Sequence, residues 1–151
     1  MLDRLQGAMS LAQRHGSRAA LMFVDLDGFK QINDTWGHTL GDEVLVAVAR
    51  GLGAALRASD TVSRHGGDEF LVLLADVAHA DDAARAATKV LVAVADAGRE
   101  VAPQLPLSAS VGIAIYPDDG AEAALLIARA DAAMYRAKQA GRGSYAFHRP
   151  A

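Results

Sequence analysis

Apolar residues recur along this chain at the spacings of amphipathic helices. Leu2, Leu5, Met9 and Ala12 are three or four positions apart, which places them on one face of a helix. Gly16-Ser17 follows this segment and is typical of a helix end. The apolar spacing and the turn signals together predict helices at residues 2–15, 28–35, 41–57, 81–97 and 122–139.

Short apolar runs between turn residues predict strands. The continuous run Ala19–Val24 is typical of a strand buried on both faces, and it ends at Asp25-Leu26-Asp27. Thr61–His65 and Glu69–Ala75 flank a turn with a glycine pair and predict a hairpin. Further strands are expected at residues 107–116, where Gly112 marks a bulge or a close approach, and at 144–148.

The order of these elements predicts the fold class. After the first helix the chain follows the order βααββαβαβ. This order predicts an α+β fold, with a mixed, largely antiparallel central sheet flanked by helices. A phosphoacceptor receiver domain also has acids at its strand ends, but it needs a parallel sheet, and the hairpin argues against that alternative.

Composition and charge exclude several function classes. The chain has 151 residues and a formal net charge of −3, so it lacks the basic field of a nucleic-acid-binding protein. It contains no cysteine, which excludes disulfides and thiolate metal sites and fits a cytoplasmic protein. Its longest apolar runs are far shorter than a membrane span, so membrane attachment would need segments outside this sequence.

Carboxylates gather at two of the predicted turns. Asp25 and Asp27 close the buried strand, and the hairpin turn Gly66–Phe70 presents two adjacent acids, an unfavourable arrangement unless a cation or a proton relieves it. If the strand and the hairpin are neighbours in the sheet, Asp25 and Asp68 converge. With the Leu26 carbonyl they would form an oxygen site for Mg²⁺ that is open to phosphates. For Asp27, capping of the following helix is the alternative.

Two basic groups are candidates for phosphate binding. Gly28-Phe29-Lys30 opens a short helix whose free N–H groups favour an anion, although a solvated position on a surface helix is the commoner fate of any single lysine. Lys138 and Arg142 stand four residues apart at the end of the last helix. They either complement the helix dipole or clamp a triphosphate, with the arginine binding in a bidentate manner.

Two polar pairs leave their roles open at this point. Asn33 and Asp42 flank a turn, where an amide and a carboxylate read the edge of guanine or simply serve turn and cap chemistry. Arg57 and Asp60 are three apart, which is also the spacing of an ordinary intrahelical pair. The sequence has no Walker-type loop and no Gly-x-Ser-x-Gly motif, so P-loop and nucleophilic hydrolase functions have no support.

Taken together, these segments resemble the GGDEF family of diguanylate cyclases. The similarity covers nearly the whole chain in the family's order and spacing. It implies a palm-like fold with a ferredoxin-like core, as in nucleotidyl cyclases, and the condensation of two GTP into cyclic di-GMP and two pyrophosphates within a homodimer. The residues that carry the resemblance are Asp25–Asp34, Gly37-His38, Gly41-Asp42, Gly66–Phe70, Ser110–Ala114, Ala130-Asp131, Met134-Tyr135, Lys138 and Gly141-Arg142.

The resemblance also implies a role for each matching residue. Asp25, the Leu26 carbonyl and Asp68 would bind Mg²⁺ or Mn²⁺, two ions per active site, and Asp68 would assist deprotonation of the 3′-hydroxyl. Glu69 would support the metal or catalysis, and Lys30 would stabilise the transferring phosphoryl group. The implied substrate-binding residues are Asn33, His38 and Asp42 for the guanine nucleotide, Lys138 and Arg142 for the phosphates, and in addition Gly28, Phe29, Gly66 and Gly67.

Regulation and domain context follow from the same resemblance. Arg57 and Asp60 match the family's inhibitory product site, with Arg64 assisting, so feedback inhibition by cyclic di-GMP is expected. The family's usual segment before the first helix is absent. Residues 1–151 are therefore expected to be a single GGDEF domain excised from a longer protein with sensory or EAL domains. The alternative function is an inactive GTP- or cyclic di-GMP-binding regulatory module, but the intact acids and Lys30 favour the enzyme.

Overall fold

A computed structural model describes residues 1–149, which confirm the predicted order of helices and strands. Across these residues, no helix has the length and apolar character that crossing a membrane requires. The elements are α1 (Leu2–His15), β1 (Arg18–Asp27), α2 (Phe29–Trp36), α3 (His38–Ala55), β2 (Thr61–Gly66), β3 (Glu69–Val77), α4 (Ala80–Val101), β4 (Ser108–Tyr116), α5 (Ala123–Gln139) and β5 (Tyr145–Phe147).

The five strands form one sheet in the order β2-β3-β1-β4-β5. The central strand β1 pairs antiparallel with both β3 and β4, and β2 pairs antiparallel with β3. Only β5 runs parallel to its neighbour, β4, among the strands of residues 1–149. The prediction of a mixed, largely antiparallel sheet is confirmed, and the receiver alternative is excluded because it requires a parallel sheet.

Helices cover both faces of the sheet, and β1 contributes to both cores. Ala20, Met22 and Val24 join a large cluster with apolar residues of α3 and α4. Leu21 and Phe23 face the other way and join a second cluster with α1 and α5. A strand buried on both faces needs apolar side chains at successive positions. This burial explains why the residues Ala19–Val24 form a continuous apolar run.

A close approach of α5 fixes its position over β4. A Cβ atom at Gly112 would lie 2.0 Å from the Ala130 carbonyl oxygen and 2.2 Å from the Met134 amide nitrogen, so only glycine fits. The pairing of β1 with β4 runs unbroken through this residue. Gly112 is therefore a close-approach point and not a bulge. The same contact sets where the last turn of α5 meets the end of β1.

Several predicted boundaries differ from the observed ones. Helix α3 begins at His38, three residues before the prediction, because the chain turns directly from α2 through Gly37. It also ends earlier, at Ala55. Helix α4 continues past the predicted Ala97 to Val101, because Gly98 lies tightly against Leu107 and is stabilised there by packing. Strand β5 is shorter than predicted and spans only Tyr145–Phe147.

Candidate active site

The acids of β1 and of the hairpin lie at one edge of the sheet. Asp25 is opposite Glu69 in the pairing of β1 with β3. The backbone N–H of Leu26 donates to the carbonyl oxygen of Asp68 over 3.1 Å. Asp68 lies in the turn just before β3, and its charge acts on Asp25, so the structure brings the two acids close together as predicted.

Asp25 occupies an unfavourable environment for a negative charge. Its Oδ1 atom is buried and has no hydrogen-bond partner among residues 1–149. Its Oδ2 atom lies 3.1 Å from the Lys138 ammonium. Burial raises the pKa of Asp25 above its ordinary value; Lys138 opposes this shift, and the neighbouring Asp68 and Glu69 charges reinforce it. A cation at Oδ1 would relieve both the burial and the repulsion.

The donors at this edge fit a hard divalent cation. Mg²⁺ prefers oxygen ligands and is usually held by one or two carboxylates together with substrate phosphates. Asp25 and Asp68 supply carboxylates, and the Leu26 carbonyl lies between them in the chain. In the part of the chain that the structure describes, no three His, Asp or Glu side chains are gathered as a metal centre. An ion here would therefore complete its coordination with main-chain, phosphate or water oxygens.

Asp27 has a different environment although it is only two residues away. It is buried, at 6% exposure, and its Oδ2 accepts from the Ser108 hydroxyl over 2.7 Å and from the Gly143 N–H over 3.0 Å. Its Oδ1 accepts from the Ser110 hydroxyl over 2.8 Å and lies 3.5 Å from the Lys138 ammonium. Burial alone would raise the pKa of Asp27, but these hydrogen bonds hold it below its ordinary value.

The capping alternative for Asp27 is wrong. The N-cap of α2 is Gly28, at φ 71°, and no side chain makes a cap hydrogen bond there. Strand β1 continues through Asp27, so its side chain is directed by the sheet towards Ser108 and Ser110 of β4. Sequence reasoning missed this role. The only signal was the pair of serines at alternate positions of a strand that is otherwise apolar.

The start of α2 places the predicted phosphate-binding residues beside the acids. Phe29 is buried, whereas Lys30 is exposed. Among residues 1–149, Lys30 makes no ion pair, so its ammonium is available to an anion at this helix start. Gly28 adopts a left-handed conformation that turns the chain from β1 directly into the helix.

The predicted guanine-reading residues meet where α2 and α3 join. A Cβ atom at Gly41 would lie 1.9 Å from the Asn33 Oδ1 atom. The Asn33 side chain therefore lies against Gly41, the residue just before Asp42. His38 begins α3 and is exposed, as is Asp42. Reading of guanine by Asn33 and Asp42 stays a prediction.

The two basic residues after α5 lie in distinct settings. Lys138 lies in the last turn of α5, half-buried between Asp25 and Asp27, which the helix-dipole interpretation alone does not account for. Arg142 is exposed and lies beyond the end of the helix, with φ 64°. Its N–H donates to the Ala137 carbonyl oxygen over 3.2 Å. Lys138 thus lies at the edge where β1 ends, and Arg142 follows it in the loop after α5.

The predicted inhibitory residues lie before and along β2, with Arg64 beside the hairpin turn that carries Asp68. Helix α3 ends at Ala55, so the intrahelical interpretation of Arg57 and Asp60 is wrong, and the pair belongs to the following turn. The Arg57 guanidinium donates to Asp60 over 3.3 Å and to the Ala75 carbonyl over 2.9 Å. Arg64 donates to the Gly67 carbonyl over 2.8 Å and so closes the hairpin turn that begins after Gly66. Both arginines and Asp60 line one surface groove.

Comparison with known proteins places this site in a family. The family model for the diguanylate cyclase, GGDEF domain matches residues 1–144. The bifunctional diguanylate cyclase/cyclic di-GMP phosphodiesterase MucR of Pseudomonas aeruginosa is 46% identical over 96% of this chain and 21% of the relative. Diguanylate cyclase TpbB of the same species is 43% identical over 93% of this chain and 33% of the relative. The chain thus spans a fifth to a third of these relatives.

A third relative and two solved structures complete the comparison. Cyclic di-GMP phosphodiesterase PdeR of Escherichia coli is 34% identical over 99% of this chain and 22% of the relative. The crystal structure of the TpbB GGDEF domain has a TM-score of 0.89 at 39% identity, covering 99% of this chain and 93% of that one. The active GGEEF domain of a diguanylate cyclase from Vibrio cholerae gives 0.87 at 27%, covering 99% and 94%. This chain belongs to the diguanylate cyclase, GGDEF domain family.

Proposed function

We propose that this domain is a diguanylate cyclase that condenses two GTP into cyclic di-GMP and two pyrophosphates. The observation that carries the proposal is the buried, unpaired oxygen of Asp25 at the edge it shares with Asp68. An oxygen left without a partner is costly to bury unless a ligand completes it. Because one domain holds one GTP in this scheme, a homodimer is needed to bring two together.

In this proposal the acids hold the metal and prepare the nucleophile. Asp25, the Leu26 carbonyl and Asp68 would hold Mg²⁺ or Mn²⁺, with two ions per site. When bound, such ions neutralise phosphate charge and make a nearby hydroxyl easier to deprotonate. Asp68 accepts the 3′-hydroxyl proton and Glu69 supports this arrangement. Phosphoryl transfer then depends on positioning and charge stabilisation and needs no covalent nucleophile.

The remaining site residues bind and orient GTP. Lys138, Arg142 and Lys30 stabilise the negative phosphates, and the free N–H groups at Gly28 and Phe29 complete the anion site. Asn33 and Asp42 pair with the guanine edge, with His38 contacting the nucleotide. The glycines of the hairpin, Gly66 and Gly67, let the backbone approach the substrate closely.

We also propose that the product inhibits this domain and that the domain is part of a longer protein. Cyclic di-GMP binds the groove of Arg57, Asp60 and Arg64 and inhibits turnover. The groove supports this because it presents a guanidinium and a nearly buried carboxylate to one surface. We place the domain in the cytoplasm, within a longer protein that carries sensory or EAL domains.

The test is incubation of the purified chain with GTP and Mg²⁺ at several protein concentrations, with chromatography for cyclic di-GMP. Product that rises more than linearly with protein concentration supports a dimeric cyclase. An Asp68→Asn variant is the control for a contaminating activity. If GTP yields no product while 3′-deoxy-GTP, which lacks the attacking hydroxyl, still binds, the result would favour the inactive regulatory module. A relative named as a cyclic di-GMP phosphodiesterase is the observation that favours this alternative.

A further inference from the structure

Asp27 joins four segments of the chain at the edge of the candidate site. It belongs to β1, and it accepts hydrogen bonds from Ser108 and Ser110 of β4 and from Gly143 in the loop after α5. The Lys138 ammonium of α5 lies 3.5 Å from the same carboxylate. In the proposed reaction, Asp27 is neither a metal ligand nor a substrate-binding residue.

The lone pairs of Asp27 are all used by these donors. An ionised carboxylate offers about four acceptor sites. Its Oδ1 atom faces the Ser110 hydroxyl and Lys138, and its Oδ2 atom faces the Ser108 hydroxyl and the Gly143 N–H. Asp25, in contrast, keeps one oxygen without a partner in residues 1–149. Asp27 therefore has no free position for a metal ion, and its contacts all point inwards to the protein.

The loop that Asp27 holds has an unfavourable backbone. Gly141, Arg142 and Gly143 all have positive φ, at 127°, 64° and 57°. For arginine, this left-handed conformation is costly and persists only when the surroundings hold it. The loop is fastened to α5 through the Arg142 N–H and to β1 through the bond from Gly143 to Asp27. The Ser144 carbonyl also accepts from the Val111 N–H of β4 over 2.9 Å, so loss of the bond to Asp27 is expected to loosen the loop around Gly143 and not to detach it.

We propose that Asp27 is a positioning residue that sets both phosphate-binding cations, Lys138 and Arg142, at a fixed place relative to the metal-binding acids. The inference rests on the proposed function, because it assumes that these cations receive the triphosphate. Asp27 orients Lys138 directly through its charge and Arg142 indirectly through the Gly143 N–H. It contacts neither substrate nor metal itself.

The variant Asp27→Asn separates this role from simple packing. Asparagine keeps the volume and one acceptor oxygen, and the serine hydroxyls can rotate to accept from its amide. The Gly143 N–H and Lys138 are donors only, so the amide cannot satisfy both. Ser108→Ala is the matched variant that removes a hydroxyl contact and keeps the carboxylate. Asp119→Asn is the second control, because Asp119 is also buried and accepts the Ile115 N–H over 2.7 Å, at the opposite end of β4.

The measurement is the Kd for 3′-deoxy-GTP and for 3′-deoxy-GMP with Mg²⁺, by titration calorimetry, together with hydrogen exchange of residues 141–144. We expect Asp27→Asn to weaken triphosphate binding by about tenfold or more, in the range found for groups that orient ligands, and to leave the monophosphate nearly unchanged. Exchange in the loop accelerates in this variant. Ser108→Ala has a smaller effect, and Asp119→Asn changes melting temperature without changing the ratio of the two Kd values.

The outcomes separate the inference from the proposed function. If the wild-type chain binds 3′-deoxy-GTP and Asp27→Asn binds it equally well, the positioning role is wrong and the proposed function stands. Equal weakening for both nucleotides would also contradict the role, because it would indicate a general loss of structure. Absence of wild-type binding would contradict the proposed function and the inference with it. Should Asp27→Asn fail to fold, the double variant Ser108→Ala/Ser110→Ala decides. We expect the ratio of its Kd for 3′-deoxy-GTP to its Kd for 3′-deoxy-GMP to exceed that of the wild type, and an unchanged ratio would contradict the positioning role.

Discussion

The two ends of β1 carry clusters of charged side chains that satisfy their charges in different ways. Before the strand begins, His15 and Ser17 hydrogen-bond to the exposed Asp76, and these bonds lower the pKa of its carboxyl. At the other end, burial raises the pKa of Asp25, and one of its oxygens has no partner in the described part of the chain. The Asp76 cluster is complete without a ligand, whereas in the proposed function a ligand completes the Asp25 cluster. A carboxylate whose pKa is raised by burial and by neighbouring acids is a candidate for a functional site.

The largest expected effect is the loss of catalysis on removing an acid at the incomplete end. Asp68→Ala should lower turnover by about 100- to 1,000-fold, or roughly 3–4 kcal/mol, comparable to loss of a key group that stabilises a transition state. Cyclic di-GMP formation from GTP, followed by chromatography, measures it. Turnover close to that of the wild-type protein would contradict the role assigned to Asp68.

Replacement of Asp25 is expected to change stability and activity in opposite directions. Asp25→Asn should lose most turnover, yet melt at a higher temperature than wild type in chelator at neutral pH. A raised pKa means that the ionised form is less favourable in the folded than in the unfolded chain. The penalty is absent below the ordinary value of 3.8 and complete above the raised folded value, so the stability gain should vanish in acid.

Thermal melts across pH, with and without Mg²⁺, check this prediction. Lys138 keeps its contact with Asp27 in the variant, so the ammonium is not left alone. Mg²⁺ should raise the melting temperature of the wild-type protein more than that of Asp25→Asn. A variant that is less stable than wild type in chelator at neutral pH would show that Asp25 is compensated by its surroundings after all.

At the complete end of β1, the corresponding change should have the opposite sign. Asp76→Asn keeps a residue type that tolerates the observed φ of 55°, so it tests the charge alone. Because the pKa of Asp76 is lowered, its charge stabilises the fold above the ordinary value of 3.8, and the effect is lost as pH falls through the lower folded value. We expect a small fall in melting temperature at neutral pH, none in acid, and unchanged turnover. Reduced turnover would mean that the two ends are coupled.

The smallest effect is expected at the exposed ion pair that starts β1. Arg18 and Asp118 are 3.0 Å apart, with 41% and 42% of their side chains exposed. Arg18→Ala should cost about 0.5 kcal/mol or less, because water and salt screen such pairs. Urea unfolding at low and high salt measures it, and the difference from wild type should disappear at high salt. A larger, salt-independent loss would indicate that the arginine stem is needed for packing.

Local patterns in the sequence predicted part of the fold and of the site, and long-range packing determined the rest. The element order follows from local periodicity. The convergence of Asp25 with Asp68 was predicted only on the condition that the strand and the hairpin are neighbours in the sheet, which the pairing of β1 with β3 meets. The contacts of Asp27 and Lys138 depend on the register between β1 and β4 and on the closeness of α5 at Gly112. Those are set by packing between residues far apart in the chain, such as Asp27 with Ser108 and Gly143, which are 81 and 116 positions away. No local pattern encodes them.

Lys138 gives the domain a counter-ion of its own. Many small metal-dependent domains unfold when their ion is removed, because ion binding supplies part of their folding free energy. Here the ammonium lies 3.1 Å from Asp25 and offsets part of its charge. If the domain works as we propose, this built-in cation would lessen the dependence of folding on magnesium, and the domain would stay folded until ion and nucleotide bind.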